Sequence, residues 1–251
     1  MHVHEMGSGP AVLLLHGCPM PPRHLLPLAT ALAGRRRVLV PELPGYGRTP
    51  PASGDLLAAG SAALEAALRS RGVEEVVAVG VSLGAYRAIE LAARGQLHVR
   101  GIVSLGGFAT LDEADRAAKR QLAFALRAGT DLSDAAPGLL LAPATIAARQ
   151  DLVADVKGWL AATSPENLAA EQEAVAACED LRPALCALGV PVLARVGALD
   201  VAIPPRYSEE IARLSGGSLE VVAGVAHAIL HEDLDATVRA IEAFLPRTGT
   251  R

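Results

Sequence analysis

The chain has 251 residues, 51% of them hydrophobic but only 3% aromatic, and a formal net charge of −4, which allows one large domain, or one with an insertion, around an aliphatic core. A mildly acidic chain poor in stacking rings does not suit a nucleic-acid platform. Its three cysteines, Cys18, Cys178 and Cys186, make neither a disulfide framework nor a zinc-ligand spacing, and no apolar run reaches the ~18 residues of a membrane span.

In chain order, His2 and His4 alternate along a short N-terminal edge strand. A strong apolar strand is predicted at 11–15, followed by His16-Gly17-Cys18-Pro19 and an amphipathic helix at 22–33. A second strand at 37–41 runs into the Gly45-Tyr46-Gly47 turn, and a helix covers 55–71. The β-branched run Val76-Val77-Ala78-Val79 marks a buried strand at 76–80, and the helix formers from Ala85 to Ala93 mark a helix at 83–94. Another strand is expected at 100–105. From 108 to 185 the alternation stops: this stretch reads as alanine-rich helices punctuated by Pro137-Gly138, Pro143, Pro165 and Pro183. Alternation then resumes with a strand at 191–197, a helix at 206–214, a strand at 219–222 and a last helix at 232–245.

Between the strand at 76–80 and the helix at 83–94 lies Gly80-Val81-Ser82-Leu83-Gly84, a G-x-S-x-G segment on a strand-to-helix turn, the setting of a nucleophile elbow. A serine hydroxyl needs a base to take its proton and an acid to orient that base. Of seven histidines, His227 stands in a loop just past a late strand, a place from which a base can reach the elbow. Its rival His231 precedes Glu232-Asp233 and reads better as a helix entry. The acid is expected between serine and histidine at a strand end, which selects Asp200, with Asp112 as the alternative. The oxyanion of a tetrahedral intermediate needs backbone donors. These are expected from Leu83, the residue after the nucleophile, and from Cys18 in the loop after the strand at 11–15, where Pro19 has no N–H to give. His16 then serves to hold the loop.

Taken together, these marks resemble the α/β-hydrolase fold superfamily along nearly the whole chain: His16-Gly17, Gly45-Tyr46-Gly47, the elbow at 80–84, Asp200 in G-x-x-D-x-x-x-P, and His227 in the last loop. Two features depart from the pattern. Glu42 stands where many such proteins carry aspartate, and His2 to Glu5 resembles the second strand of the fold, leaving the usual first strand reduced or absent. The resemblance implies a mostly parallel central sheet flanked by helices, with a core of 1–107 and 186–251 and a helical cap inserted at 108–185. The cap segment carries 12 acidic and 7 basic residues, a net of −5, which mildly disfavours large anionic substrates. Met20, Phe108, Phe124 and Trp159, with Leu160, are candidates to line an acyl pocket.

The expected activity is that of a serine hydrolase cleaving an ester or lactone of a small, mostly apolar molecule, with no metal or organic cofactor. Thioester, amide or carbon–carbon bond cleavage on the same triad stays open, as does a non-hydrolytic receptor or biosynthetic role for the pocket. The partner is a small molecule, with neither nucleic acid nor membrane, and the chain is expected to be a monomer or homodimer. Met1-His2-Val3-His4-Glu5 lacks the basic and apolar regions of an export signal, so a cytoplasmic location, where free thiols persist, is expected.

Overall fold

The computed structural model describes residues 1–52 and 56–245. Seven strands form one sheet: β1 (Val3–Met6), β2 (Ala11–Leu15), β3 (Arg37–Pro41), β4 (Glu75–Val81), β5 (His98–Leu105), β6 (Val192–Gly197) and β7 (Ser218–Val222), in the spatial order β1-β3-β2-β4-β5-β6-β7. All neighbours are parallel except β1, which runs antiparallel to β3 with Val3 opposite Pro41. Strand β2, and β4 after Glu75, are apolar without interruption because both sheet faces are covered. Their side chains separate by parity: Leu13, Leu15, Val76 and Ala78 join one core, whereas Val12, Leu14, Val77 and Val79 join the other.

The first core is closed by α2 (Leu56–Arg69), α3 (Leu83–Arg94) and α10 (Pro205–Ser215), through Leu64, Leu68, Ala88, Ile89 and Ile211. The second is closed by α1 (Leu26–Leu32) and α12 (Leu234–Phe244), through Leu28, Leu32, Ile241 and Phe244. Truncating one of the fully buried leucines, such as Leu14, to alanine should cost about 2–5 kcal/mol.

The six strands read from the sequence are all present, within two residues at their ends, and the edge strand is confirmed. Position 55, where the second predicted helix begins, lies outside the described residues. Two helices are interrupted where the sequence reads as continuous. Residues 22–25 form a 3-10 turn before α1, and the helix read at 232–245 is broken at Asp233, whose backbone (φ −148°) leaves the helical region: Glu232 ends a short α11 (Ile229–Glu232) that the sequence reading did not include, and α12 begins at Leu234. Between β5 and β6 lie α4 (Glu113–Arg127), α5 (Ala136–Leu140), α6 (Pro143–Ala148), α7 (Gln150–Ala161), α8 (Pro165–Ala176) and α9 (Arg182–Ala187), with no strand among them. The last of these packs on α10 and α3, next to the sheet, while α4 packs on α8.

Candidate active site

Ser82 occupies the turn between β4 and α3 with φ 54° and ψ −120°, the only positive φ at a non-glycine position among the described residues. Such a conformation costs about 1–3 kcal/mol and persists only where its surroundings enforce it. The flanking glycines show how. A Cβ at position 80 would fall 2.2 Å from the carbonyl oxygen of Gly84, and one at position 84 would fall 2.2 Å from that of Leu15. The chain doubles back so tightly that only hydrogen fits at either position.

Across the strand ends, the loop after β6 carries Asp200 and the loop after β7 carries His227. Asp200 Oδ1 accepts from the amides of Ala202 (3.0 Å) and Ile203 (2.9 Å), which fixes the carboxylate and leaves Oδ2 facing His227 Nδ1 at 2.7 Å. Both side chains are almost fully buried. Room for the pair comes from Gly106, at the end of β5 with φ +57°, where a Cβ would sit 3.1 Å from Asp200 Oδ2 and 3.5 Å from His227 Nδ1. The sequence reading missed this glycine, although the Gly106-Gly107 doublet directly after a strand was a signal for it.

The competing assignments go elsewhere. Asp112 is the N-cap of α4: its Oδ1 accepts from the Asp115 amide at 2.9 Å, and its Oδ2 lies 3.1 Å from Arg206. His231 stacks among Trp159 (4.8 Å between centroids) and His24 (5.6 Å). His16 bridges two loops, meeting the Gly17 carbonyl with Nδ1 and accepting the Leu43 amide with Nε2, at 3.2 Å each. Complete burial lowers its imidazole to about 4, so it is neutral at pH 7. Glu42 fills the aspartate-like role at the Gly45-Tyr46-Gly47 turn, accepting the Arg48 amide at 2.6 Å.

Ser82 and His227 line a common cavity of about 230 Å³ together with Cys18 and Pro19. The backbone amides of Cys18 and Leu83 make no hydrogen bond to any described residue. The far wall is built by helices between β5 and β6: Leu122 and Leu126 of α4, Leu139 and Leu140 of α5, Leu160 of α7, and Leu168 of α8. Helix α8 is also tied to the loops beneath it. Its buried Glu171 accepts from the Tyr46 hydroxyl at 2.5 Å, and Gln172 Nε2 lies 3.3 Å from Cys18 Sγ. Burial pushes the Glu171 carboxyl up, opposed by its bonds to Tyr46 and Cys18, and burial beside Glu171 pushes the Cys18 thiol well up.

None of the four proposed pocket side chains lines this cavity. Met20 and Phe108 are buried in the two cores, Phe108 stacked on Tyr86 at 5.5 Å. Trp159 is packed with the two histidines, and Phe124 lies on the outer face of α4, 76% exposed. Of the hydrophobic residues named from the sequence, only Leu160 reaches the cavity. Among the described residues, His2, His4 and Glu42 bring three ligand-type atoms within 4.8 Å of one another. They lie at the sheet edge, with the Arg48 guanidinium against His2, and contribute nothing to the cavity lining. No helix of the described residues is long and apolar enough to cross a membrane.

Residues 12–240 match the model of the alpha/beta hydrolase family. A biotin biosynthesis bifunctional protein of Cellvibrio japonicus is 28% identical over 253 residues, covering 96% of this chain and 48% of that protein. The chain thus spans about half the length of that relative. A pimeloyl-[acyl-carrier protein] methyl ester esterase of a Shewanella species is 26% identical over 254 residues, covering 98% and 94% of the two chains. Among solved structures, a thermophilic esterase from Thermogutta terrifontis superposes with a TM-score of 0.90 at 24% identity, over 98% of this chain and 93% of that one. This last likeness is one of fold.

Proposed function

This chain belongs to the alpha/beta hydrolase family, and we propose that within it the protein is a serine hydrolase cleaving an ester or lactone of a small, mostly apolar molecule. The observation that carries this reading is that Ser82 and His227 line one cavity while Asp200 Oδ2 holds His227 Nδ1 at 2.7 Å. Asp200 keeps the Nδ1 proton in place, so Nε2 is unprotonated and able to accept the proton of Ser82 as Oγ attacks the substrate carbonyl. The amides of Cys18 and Leu83 receive the oxyanion. His227 returns the proton to the leaving alcohol, and the acyl-enzyme forms. Water then attacks, giving its proton to His227, and the acid and free Ser82 are released.

The small, leucine-rich cavity favours a compact apolar acyl group, and the helices α4–α8 act as its cap in this reading. The name of one relative, a methyl ester esterase, lends support to ester over amide bonds. The test is labelling by a fluorophosphonate probe, followed by a panel of chromogenic esters of graded acyl length with lactones and a thioester included. Labelling of wild type but not of Ser82→Ala, with ester or lactone turnover, is expected. An unlabelled Ser82 with ligand binding and no turnover would turn the assignment to a receptor.

A further inference from the structure

One charge in the cavity is unused by the proposed chemistry. Along α4, Asp115, Ala118, Lys119, Leu122 and Leu126 line the cavity, a spacing that puts them on one helical face. Asp115 is already committed, its Oδ2 accepting from the Tyr207 hydroxyl and from Arg206 at 2.5 Å each. Lys119 is half-buried and makes no hydrogen bond or ion pair with any described residue. Burial lowers its ammonium, a drop opposed by Cys18, Asp115 and Asp200 nearby. A half-buried ammonium in a leucine-rich cavity with no direct ion pair is costly to maintain, and an anion in the cavity would lower that cost.

A second uncommitted polar group faces the same space from α8. Gln172 lines the cavity, and its Oε1 is buried without a partner while Nε2 rests on Cys18 Sγ. The two ends of an amide are interchangeable in assignment. Turned over, Oε1 lies against Cys18 Sγ and Nε2 takes the buried position that has no partner.

We propose that Lys119 and Gln172 form an anion subsite of this cavity, and that the ester taken by Ser82 bears a carboxylate on an otherwise apolar acyl chain. The inference rests on the ester-hydrolase reading above and narrows its substrate class. The net −5 of residues 108–185 does not oppose it. Most of those acidic groups face solvent, where screening acts over about 8 Å, whereas Asp115 and Lys119 are the ionisable groups the inserted helices present to the cavity, and Asp115 is paired.

The test compares two matched substrates, p-nitrophenyl pentanoate and mono-p-nitrophenyl glutarate, with wild type, Lys119→Met and Lys119→Arg. Wild type should prefer the glutarate through KM. Lys119→Met, which keeps the aliphatic stem, should raise the KM for the glutarate relative to that for the pentanoate about tenfold or more. Lys119→Arg should restore the preference. Calorimetric binding of monomethyl glutarate to Ser82→Ala, and its loss in Ser82→Ala with Lys119→Met, reads the subsite without turnover. Equal effects on both esters, or equal binding with and without Lys119, would overturn the subsite and leave the hydrolase standing. Lys119-dependent binding without hydrolysis of either ester would support the subsite while refuting the esterase.

Discussion

Replacing Asp200 by asparagine separates its chemical role from its structural one. The amide side chain would keep an oxygen to accept from the amides of Ala202 and Ile203, 3.0 and 2.9 Å away in the wild type, so the loop should hold and folding stability should change by less than about 1 kcal/mol. The other end of the side chain changes from acceptor to donor. Facing His227 Nδ1 at the wild-type separation of 2.7 Å, an amide NH₂ selects the tautomer protonated at Nε2, the nitrogen that must accept the proton of Ser82. A wrong tautomer lowers kcat by about 10⁴, some 5 kcal/mol of transition-state stabilisation. The assay is steady-state hydrolysis of a short p-nitrophenyl ester, with thermal denaturation in parallel. Asp112→Asn is the control, since an asparagine still caps α4 and should be nearly silent. A kcat for Asp200→Asn within tenfold of wild type, or an equal loss from Asp112→Asn, would refute the assignment of the acid.

Three further outcomes are expected. Ser82→Ala should lower kcat by at least ~10³-fold with the fold intact. Ser82→Gly should be inactive too yet more stable than Ser82→Ala by about 1–2 kcal/mol, because it alone relieves the backbone at φ 54°; equal melting of the two variants would contradict the strain. Cys18→Ala retains the backbone N–H, so turnover of a neutral ester should stay within about threefold, and iodoacetamide should react slowly at pH 7 because burial keeps the thiol protonated. A collapse of activity in a well-folded Cys18→Ala would give the side chain a chemical role. For His16 the folded imidazole at about 4 lies below its unfolded value near 6.5, so the unfolded chain binds more protons between those values. Its stabilisation is complete above pH ~6.5 and is lost as pH falls to about 4, up to roughly 3 kcal/mol. Denaturant titrations of wild type and His16→Gln across that range should show the difference shrinking with acid, and a constant gap would contradict it.

The sheet and the elbow were legible because their signals are local. Apolar runs of five to eight residues separate cleanly from helices, and Gly80, Ser82 and Gly84 state their backbone demands within one turn. Asp200 and His227 were singled out by their positions after strands, and the structure places them 2.7 Å apart. The pocket wall was not legible. Aromatic residues near the site in sequence drew attention, but Phe108 turns under the strand ends to stack on Tyr86, and Phe124 faces outward. In alanine-rich helices, period alone does not tell a leucine facing a cavity from one facing a neighbouring helix. The link between Tyr46 and Glu171 joins residues 125 apart, and no local pattern announces such a pairing. The stripe from Asp115 to Leu126 was not read from the sequence, because spacing alone does not say which helical face meets a cavity.

That link between α8 and the loops beneath it bears on how such an enzyme can be altered. The same turn of α8 that helps wall the cavity also holds Tyr46 and Cys18, the latter a residue whose amide is assigned to the oxyanion. Exchanging the inserted helices for those of another family member would therefore change more than the shape of the cavity. It would leave Tyr46 facing no carboxylate, so a graft that aims only at selectivity would also disturb the loops beneath α8. Recombination that carries residues 16–20 and 42–48 along with α8 keeps the link with its partners, and is the unit in which selectivity can be traded between relatives.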